Sequence, residues 1–182
     1  IKSNELISKI DKWIDSTKPG NILYHPYISD AGERGPFIDN FARASFIGLK
    51  SSNRYPDMMR ALIEGLCMAS RDCYLAMGSI PTEIRLAGGA TQSKALRKIF
   101  ASTLKTSVRT SNRKESGATG AAMIGAMATG IYNNWDKCLS EWVEPLLGEL
   151  EDYDEDLSIT YNKLFENYLN ARLNLAPIWP KL

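Results

Sequence analysis

The residues best suited to chemistry sit together in one short run, Gly88-Gly89-Ala90-Thr91-Gln92-Ser93. Adjacent glycines permit positive φ and carry no Cβ, so a flat or anionic ligand can reach the backbone there. A helix beginning just after them would aim unpaired N–H groups at the same place. Thr91, Gln92 and Ser93 bring side chains that either cap that helix or hydrogen-bond a purine or ribose. Residues 85–114 hold eight basic residues and no acid, a local bias that suits a polyanion such as a nucleotide. Neither a G-x-x-x-x-G-K-S/T loop nor a G-x-G-x-x-G fingerprint occurs, which excludes those two phosphate-binding modes. The plain alternative is a simple turn followed by a solvated helix face.

Positioning this run falls to a strand before it and a helix after it. Residues 82–87, TEIRLA, predict a short strand, and residues 93–104 predict an amphipathic helix with Leu96, Ile99, Phe100 and Leu104 on one face. A second strand follows at 106–110. Residues 116–129 form an Ala/Gly-rich helix whose small faces let it lie close against a neighbour. Upstream, apolar spacing predicts a helix over 4–15, closed by Lys18-Pro19-Gly20, and a long, largely buried helix over 56–78 with a proline in its first turn. Residues 21–27 and 42–49 read as extended, on either side of a Gly-rich, charged loop at 30–40. A helix at 135–143 precedes residues 149–156, where six of eight residues are carboxylates. Acids there suit the positive end of a last helix at 157–175. Pro177 and Pro180 bar regular helix at the end. Helices alternating with short strands in the middle make this an α/β chain.

The balance of charge gives no global attraction to nucleic acid or anionic membrane: 22 Lys and Arg against 21 Asp and Glu leave +1. Cys67, Cys73 and Cys138 are an odd count without C-x-x-C spacing, which fits buried thiols of a reducing, cytoplasmic setting rather than a disulfide frame or zinc site. His25 is the one histidine, so a histidine-based metal site is not expected. No stretch is long and apolar enough to span a bilayer, and residues 1–5 lack the apolar core of a signal peptide.

Four stretches, in order, carry a resemblance to a known family. They are Ala31-Gly32-Glu33-Arg34-Gly35-Pro36-Phe37; Ala44-Ser45-Phe46-Ile47-Gly48-Leu49 followed after seven residues by Asp57-Met58-Met59-Arg60-Ala61-Leu62-Ile63-Glu64-Gly65; Leu86-Ala87-Gly88-Gly89-Ala90-Thr91-Gln92-Ser93; and Glu115-Ser116-Gly117-Ala118-Thr119-Gly120-Ala121-Ala122. Together they resemble the C-terminal domain of the FGGY carbohydrate kinases, most closely the xylulose and erythritol kinase branch. Leu62 and Ala87 depart slightly from the family pattern.

The resemblance implies an actin/hexokinase-like (ribonuclease H-like) ATPase domain, with a mixed sheet flanked by helices. It implies transfer of the γ-phosphoryl group of ATP, with Mg2+, to a sugar or polyol hydroxyl of pentulose or tetritol type. Residues 1–182 would be the single nucleotide-side domain. The sugar-binding N-terminal domain, with its Asp-x-Gly-Thr loop and catalytic Asp, would lie elsewhere, and a second phosphate loop just upstream of Ile1. The chain alone would then lack kinase activity and bind ATP weakly. The backbone at Gly88, Gly89 and Ala90 would pass beside the adenine or α-phosphate, with Ser93 near the base and Gln92 a weaker contact. Gly117 and Gly120 would serve close packing. Glu33 and Arg34 are expected to pair with each other or with Arg60 and Glu64, and His25 to be a loop residue rather than a base. A homodimer through the C-terminal helices is the family's suggestion. Two other classes compete: a non-catalytic actin-like interaction module that docks partners through the acidic segment and Trp179, and a nucleic-acid binder using the basic run, which lacks an aromatic stacking platform.

Overall fold

The computed structural model describes residues 3–113 and 115–182, apart from the side chains of residues 3, 4, 6–8 and 90. Lys114 of the basic window, and the side chains of Asn4, Leu6 and Ile7 in the first helical stripe, lie outside the described residues. The elements run α1 (Ser3–Asp15), β1 (Leu23–His25), β2 (Ser45–Ile47), α2 (Tyr55–Ala76), β3 (Glu83–Leu86), α3 (Lys94–Leu104), β4 (Ser107–Ser111), α4 (Ser116–Ala128), α5 (Trp135–Trp142), β5 (Leu147–Glu151) and α6 (Glu155–Leu175).

Local chemistry sets the ends of the long helices. Pro56 suits the first turn of α2 with its fixed φ, and Asp57 accepts the Arg54 N–H at 2.9 Å. At the head of α6 the Asp154 carboxylate accepts the Leu157 N–H at 3.0 Å, as acids before that helix predict. Apolar faces of α1, α2, α3 and α6 then meet in the main core, where Ile14, Ile63, Met68, Ile99, Tyr161 and Phe165 are buried together. A Cβ on Gly65 would overlap the Tyr24 carbonyl oxygen, so only glycine lets α2 lie this close to β1.

Two sheets result. β1 and β2 pair antiparallel, with Tyr24 opposite Phe46. The second sheet is mixed, in the order β3-β4-β5. β3 and β4 are parallel, with Leu86 opposite Thr110, and β5 runs antiparallel to β4. Ile84, Ala101, Leu104 and Val108 form a smaller core that seats this sheet on α3. β5 runs into the carboxylate-rich stretch at 149–156, expected to be only the approach to the last helix. Its acids do not prevent a strand because they meet basic side chains of α3 and the next turn: Arg97 pairs with Glu151 at 2.7 Å, Lys98 with Asp154 at 2.8 Å and Lys105 with Glu155 at 3.0 Å.

Several expectations are corrected here. Arg60 and Glu64 pair with each other at 2.7 Å, buried, and not with Glu33 or Arg34. Arg60 also donates to the carbonyls of Ile14 and Thr17, while Glu64 accepts from the Tyr161 hydroxyl and the Gly20 N–H. These added bonds satisfy a pair whose burial would otherwise be costly. The Glu33 carboxylate instead accepts the backbone N–H groups of Arg34 and Gly35, closing its own loop. Trp179 is 3% exposed and packs edge-on against Tyr27, so it is core and not a docking residue. Cys67 and Cys138 are buried thiols, and Cys73 is half-buried. Among the described residues no helix is long and apolar enough to cross a membrane.

His25 is no loop residue. It lies in β1 at 0% exposure. Its Nε2 meets the Tyr168 carbonyl at 2.9 Å and its Nδ1 the Ser45 hydroxyl at 3.1 Å. A carbonyl only accepts, so Nε2 carries the proton and Nδ1 accepts from Ser45. Burial pushes the imidazole below its ordinary value of 6.5, with Arg172 adding to the depression and the Tyr168 bond opposing it. The unfolded chain therefore binds the proton first. Stability is full above about pH 6.5 and is lost as pH falls toward the lowered folded value, by at most about 1.4 kcal/mol per pH unit. Denaturant titrations at pH 7.5 and pH 5 should show a smaller loss for His25→Gln than for the parent chain; equal losses would contradict a buried neutral histidine.

Candidate functional site

Because β3 and β4 are parallel neighbours, the chain leaves both strands at the same edge of the sheet, where ligands of α/β folds commonly bind. The residues after β3 and those after β4 form one cavity of about 430 Å³, lined by Gly88, Gly89, Gln92, Ser111, Asn112 and Arg113. Gly88 turns the chain at φ +103°, a conformation that glycine adopts without strain. A 3-10 turn, Gly89–Gln92, follows and leads into α3. A Cβ at either Gly88 or Gly89 would meet nothing within 4 Å. The missing side chains therefore face open space rather than a packed neighbour.

The loop is held rigidly from behind. The Thr91 hydroxyl donates to the Gly88 carbonyl at 2.7 Å, and the Arg97 guanidinium donates to the Thr91 carbonyl at 2.7 Å while paired with Glu151. Ser93 is 3% exposed. Its hydroxyl donates to the Asp11 carboxylate at 2.5 Å and accepts the Leu96 N–H at 3.1 Å; Asp11 also accepts the Ala95 N–H at 3.2 Å.

This corrects the expectation of open N–H groups at the head of α3, because a carboxylate from α1 already occupies that helix terminus. Of the predicted residues, Gly88, Gly89 and Gln92 line the cavity, and Ala90 lies in the 3-10 turn between them. Ser93 stands behind the cavity wall as the helix cap. Asn112 and Arg113 complete the site; Arg113 belongs to the basic window read from sequence, whereas Asn112 is not singled out there. The signal for them is the pairing of two parallel strands, whose exits must lie side by side.

The basic window is also different from expected. Arg97, Lys98 and Lys105 pair with the acidic stretch, and Arg85 and Arg109 with Glu83. Its charge is therefore largely matched within the chain and does not form a polyanion field. A groove of about 360 Å³ between α3 and residues 151–154 is lined by the Arg97–Glu151 and Lys98–Asp154 pairs. Among the described residues Lys94 and Arg113 have no carboxylate partner; Arg113 donates to the Trp142 carbonyl and to the Thr119 hydroxyl, the latter at 3.2 Å.

Gly117 and Gly120 do not serve close packing among the described residues, since a Cβ on either would meet nothing within 4 Å. Only Met123 and Ala126 of α4 are buried, and Ile124 is 62% exposed. The expected close neighbour of this small-residue helix is absent from the described residues. Gly120 and Met123 instead border a second cavity of about 250 Å³, shared with Leu86, Arg113 and Leu147.

Comparison with known proteins agrees with this arrangement. The profile of the FGGY family of carbohydrate kinases, C-terminal domain, matches residues 4–129. Erythritol kinase of Brucella abortus is 52% identical over 182 residues, all of this chain and 35% of the relative. Xylulose kinase of Staphylococcus xylosus is 30% identical over 79% of this chain and 30% of its own length. The solved structure of ligand-bound xylulose kinase from Lactobacillus acidophilus superposes with a TM-score of 0.84 at 26% identity, covering 96% of this chain and 36% of that one. The chain thus spans about a third of the length of the relatives it matches. The mixed sheet flanked by helices is the actin/hexokinase-like fold.

Ser93→Ala removes the cap without touching the cavity. It should lower stability by about 1 kcal/mol, measured by denaturant titration. Unchanged stability would contradict the capping role of Ser93.

Proposed function

Since this chain belongs to the FGGY family of carbohydrate kinases, we propose that its glycine turn holds the adenosine half of ATP in an enzyme that phosphorylates a small polyol. The observation that carries this is the open 430 Å³ cavity at the exits of β3 and β4, walled by glycines on one side and amides on the other. A cavity of that size takes a heterocycle with its ribose. Gly88 and Gly89 permit close approach of the backbone, and the Gln92 and Asn112 amides offer both donors and acceptors to ring edges. The head of α3 is closed to the triphosphate by Asp11, so the phosphates leave the cavity away from that helix.

On this proposal residues 1–182 are the nucleotide-side domain, and the rest of the protein supplies the polyol site. There a carboxylate base takes the proton of the attacking hydroxyl. The polyol oxygen bonds to the γ-phosphorus as the bond to ADP breaks. Such transfer is governed by alignment and by stabilisation of spread charge. This chain's part is to fix one end of the nucleotide so that the other is aligned. We assign none of its residues to the Mg2+ that accompanies the triphosphate. The exposed apolar side chains of Ile124 on α4 and of Ile131 just beyond its end are proposed to be covered in the intact protein. The 52% identity to an erythritol kinase favours a tetritol over a pentulose as acceptor.

Gly89→Leu tests the assignment, because an added Cβ meets no neighbour and on this proposal the side chain takes up space the nucleotide needs. In the intact protein the KM for ATP should rise at least tenfold, with the KM for erythritol within twofold and the isolated 182-residue chain giving no ADP release. An unchanged KM for ATP, or turnover by the isolated chain, would overturn the proposal.

A further inference from the structure

Arg113 stands apart from the other arginines near the cavity. Arg85, Arg97, Lys98, Lys105 and Arg109 each face a carboxylate. Among the described residues Arg113 has none, and it borders both the 430 Å³ cavity and the 250 Å³ one beside it. Its two terminal nitrogens are held by neutral acceptors, the Trp142 carbonyl at the end of α5 and the Thr119 hydroxyl on α4. A guanidinium fixed through both terminal nitrogens is a planar wall of set orientation, and its face is what remains to offer a ligand. Stacking of that face on a π-system is favourable, and more so away from water.

The surroundings argue for a base over a phosphate. The nearest helix head already carries the Asp11 carboxylate. Of the other polar side chains of the wall, the Ser111 hydroxyl accepts the Arg113 N–H at 3.3 Å, and Gln92 and Asn112 are neutral amides that make no side-chain hydrogen bond among the described residues.

Resting on the nucleotide assignment above, we propose that Arg113 is the base-stacking residue of the site: its guanidinium face lies against the purine ring, and the amides of Gln92 and Asn112 read the ring edges. Arg113 is thereby a specificity residue for a nucleoside triphosphate over other polyphosphates.

The test is calorimetric binding of ATP and of inorganic tripolyphosphate to the intact protein. Arg113→Lys keeps the charge and loses the plane; Arg113→Gln loses both while keeping a donor for the Trp142 carbonyl. Each should weaken ATP on the order of tenfold, the scale of one lost base stack, and leave tripolyphosphate within twofold. Equal weakening of both ligands would make Arg113 a phosphate contact and overturn the proposal, as would unchanged ATP binding in Arg113→Lys. If Gly89→Leu abolishes ATP binding while both Arg113 variants retain it, the nucleotide site stands and only this inference falls. If the parent protein binds no ATP, both fall. Photolabelling of the parent protein with 8-azido-ATP needs no variant: label within residues 111–113 supports the stack, and label confined elsewhere contradicts it.

Discussion

The carboxylate of Asp11 at the head of α3 is the contact on which the site's geometry depends. It joins α1 to a turn 82 residues away, through the Ser93 hydroxyl and the Ala95 N–H. A negative charge at a helix N-terminus is favourable by roughly 0.3–1 kcal/mol when exposed and up to about 2 when partly buried. Its larger consequence is chemical. A helix head that already holds a carboxylate does not attract a second anion, so on the proposed function the glycine turn beside it, with Arg113 in the same wall, is left to a heterocycle.

Charge matching does the remaining positioning. Pairs such as Lys105–Glu155 are exposed and contribute little individually. The half-buried Arg97 is different, because it bonds Glu151 on β5 and the Thr91 carbonyl of the turn at once. The third strand of the sheet and the ligand-facing loop are therefore fixed by one side chain. With Thr91 closing back on Gly88, the turn is built before any ligand arrives, which limits the ordering that binding must impose.

Sequence patterns foretell the elements well where they are periodic. The helices α2, α3 and α6 and the strands β3 and β4 lie within a few residues of their expected spans, because apolar spacing and proline or acidic starts are local signals. β5 is not legible, because Leu147-Gly-Glu-Leu-Glu reads as an acidic approach until its partners on α3 are known. The glycine turn is legible as a place where backbone is exposed. The state of the helix behind it is not, since Asp11 looks like any polar residue on the outside of α1. His25 is misjudged for a related reason: its neighbours in sequence read as extended but do not show its burial, and its partner Tyr168 lies 143 residues away. Asn112 and Arg113 gain meaning only from the parallel register of β3 and β4.

Hydrogen–deuterium exchange of the intact protein, with and without a non-hydrolysable ATP analogue, tests the glycine-turn site most directly. Backbone amides in residues 86–93 and 111–113 should exchange more slowly with the analogue bound, with the head of α3 already protected in both states. Protection that avoids both segments, or that appears only at the head of α3, would contradict the glycine-turn site.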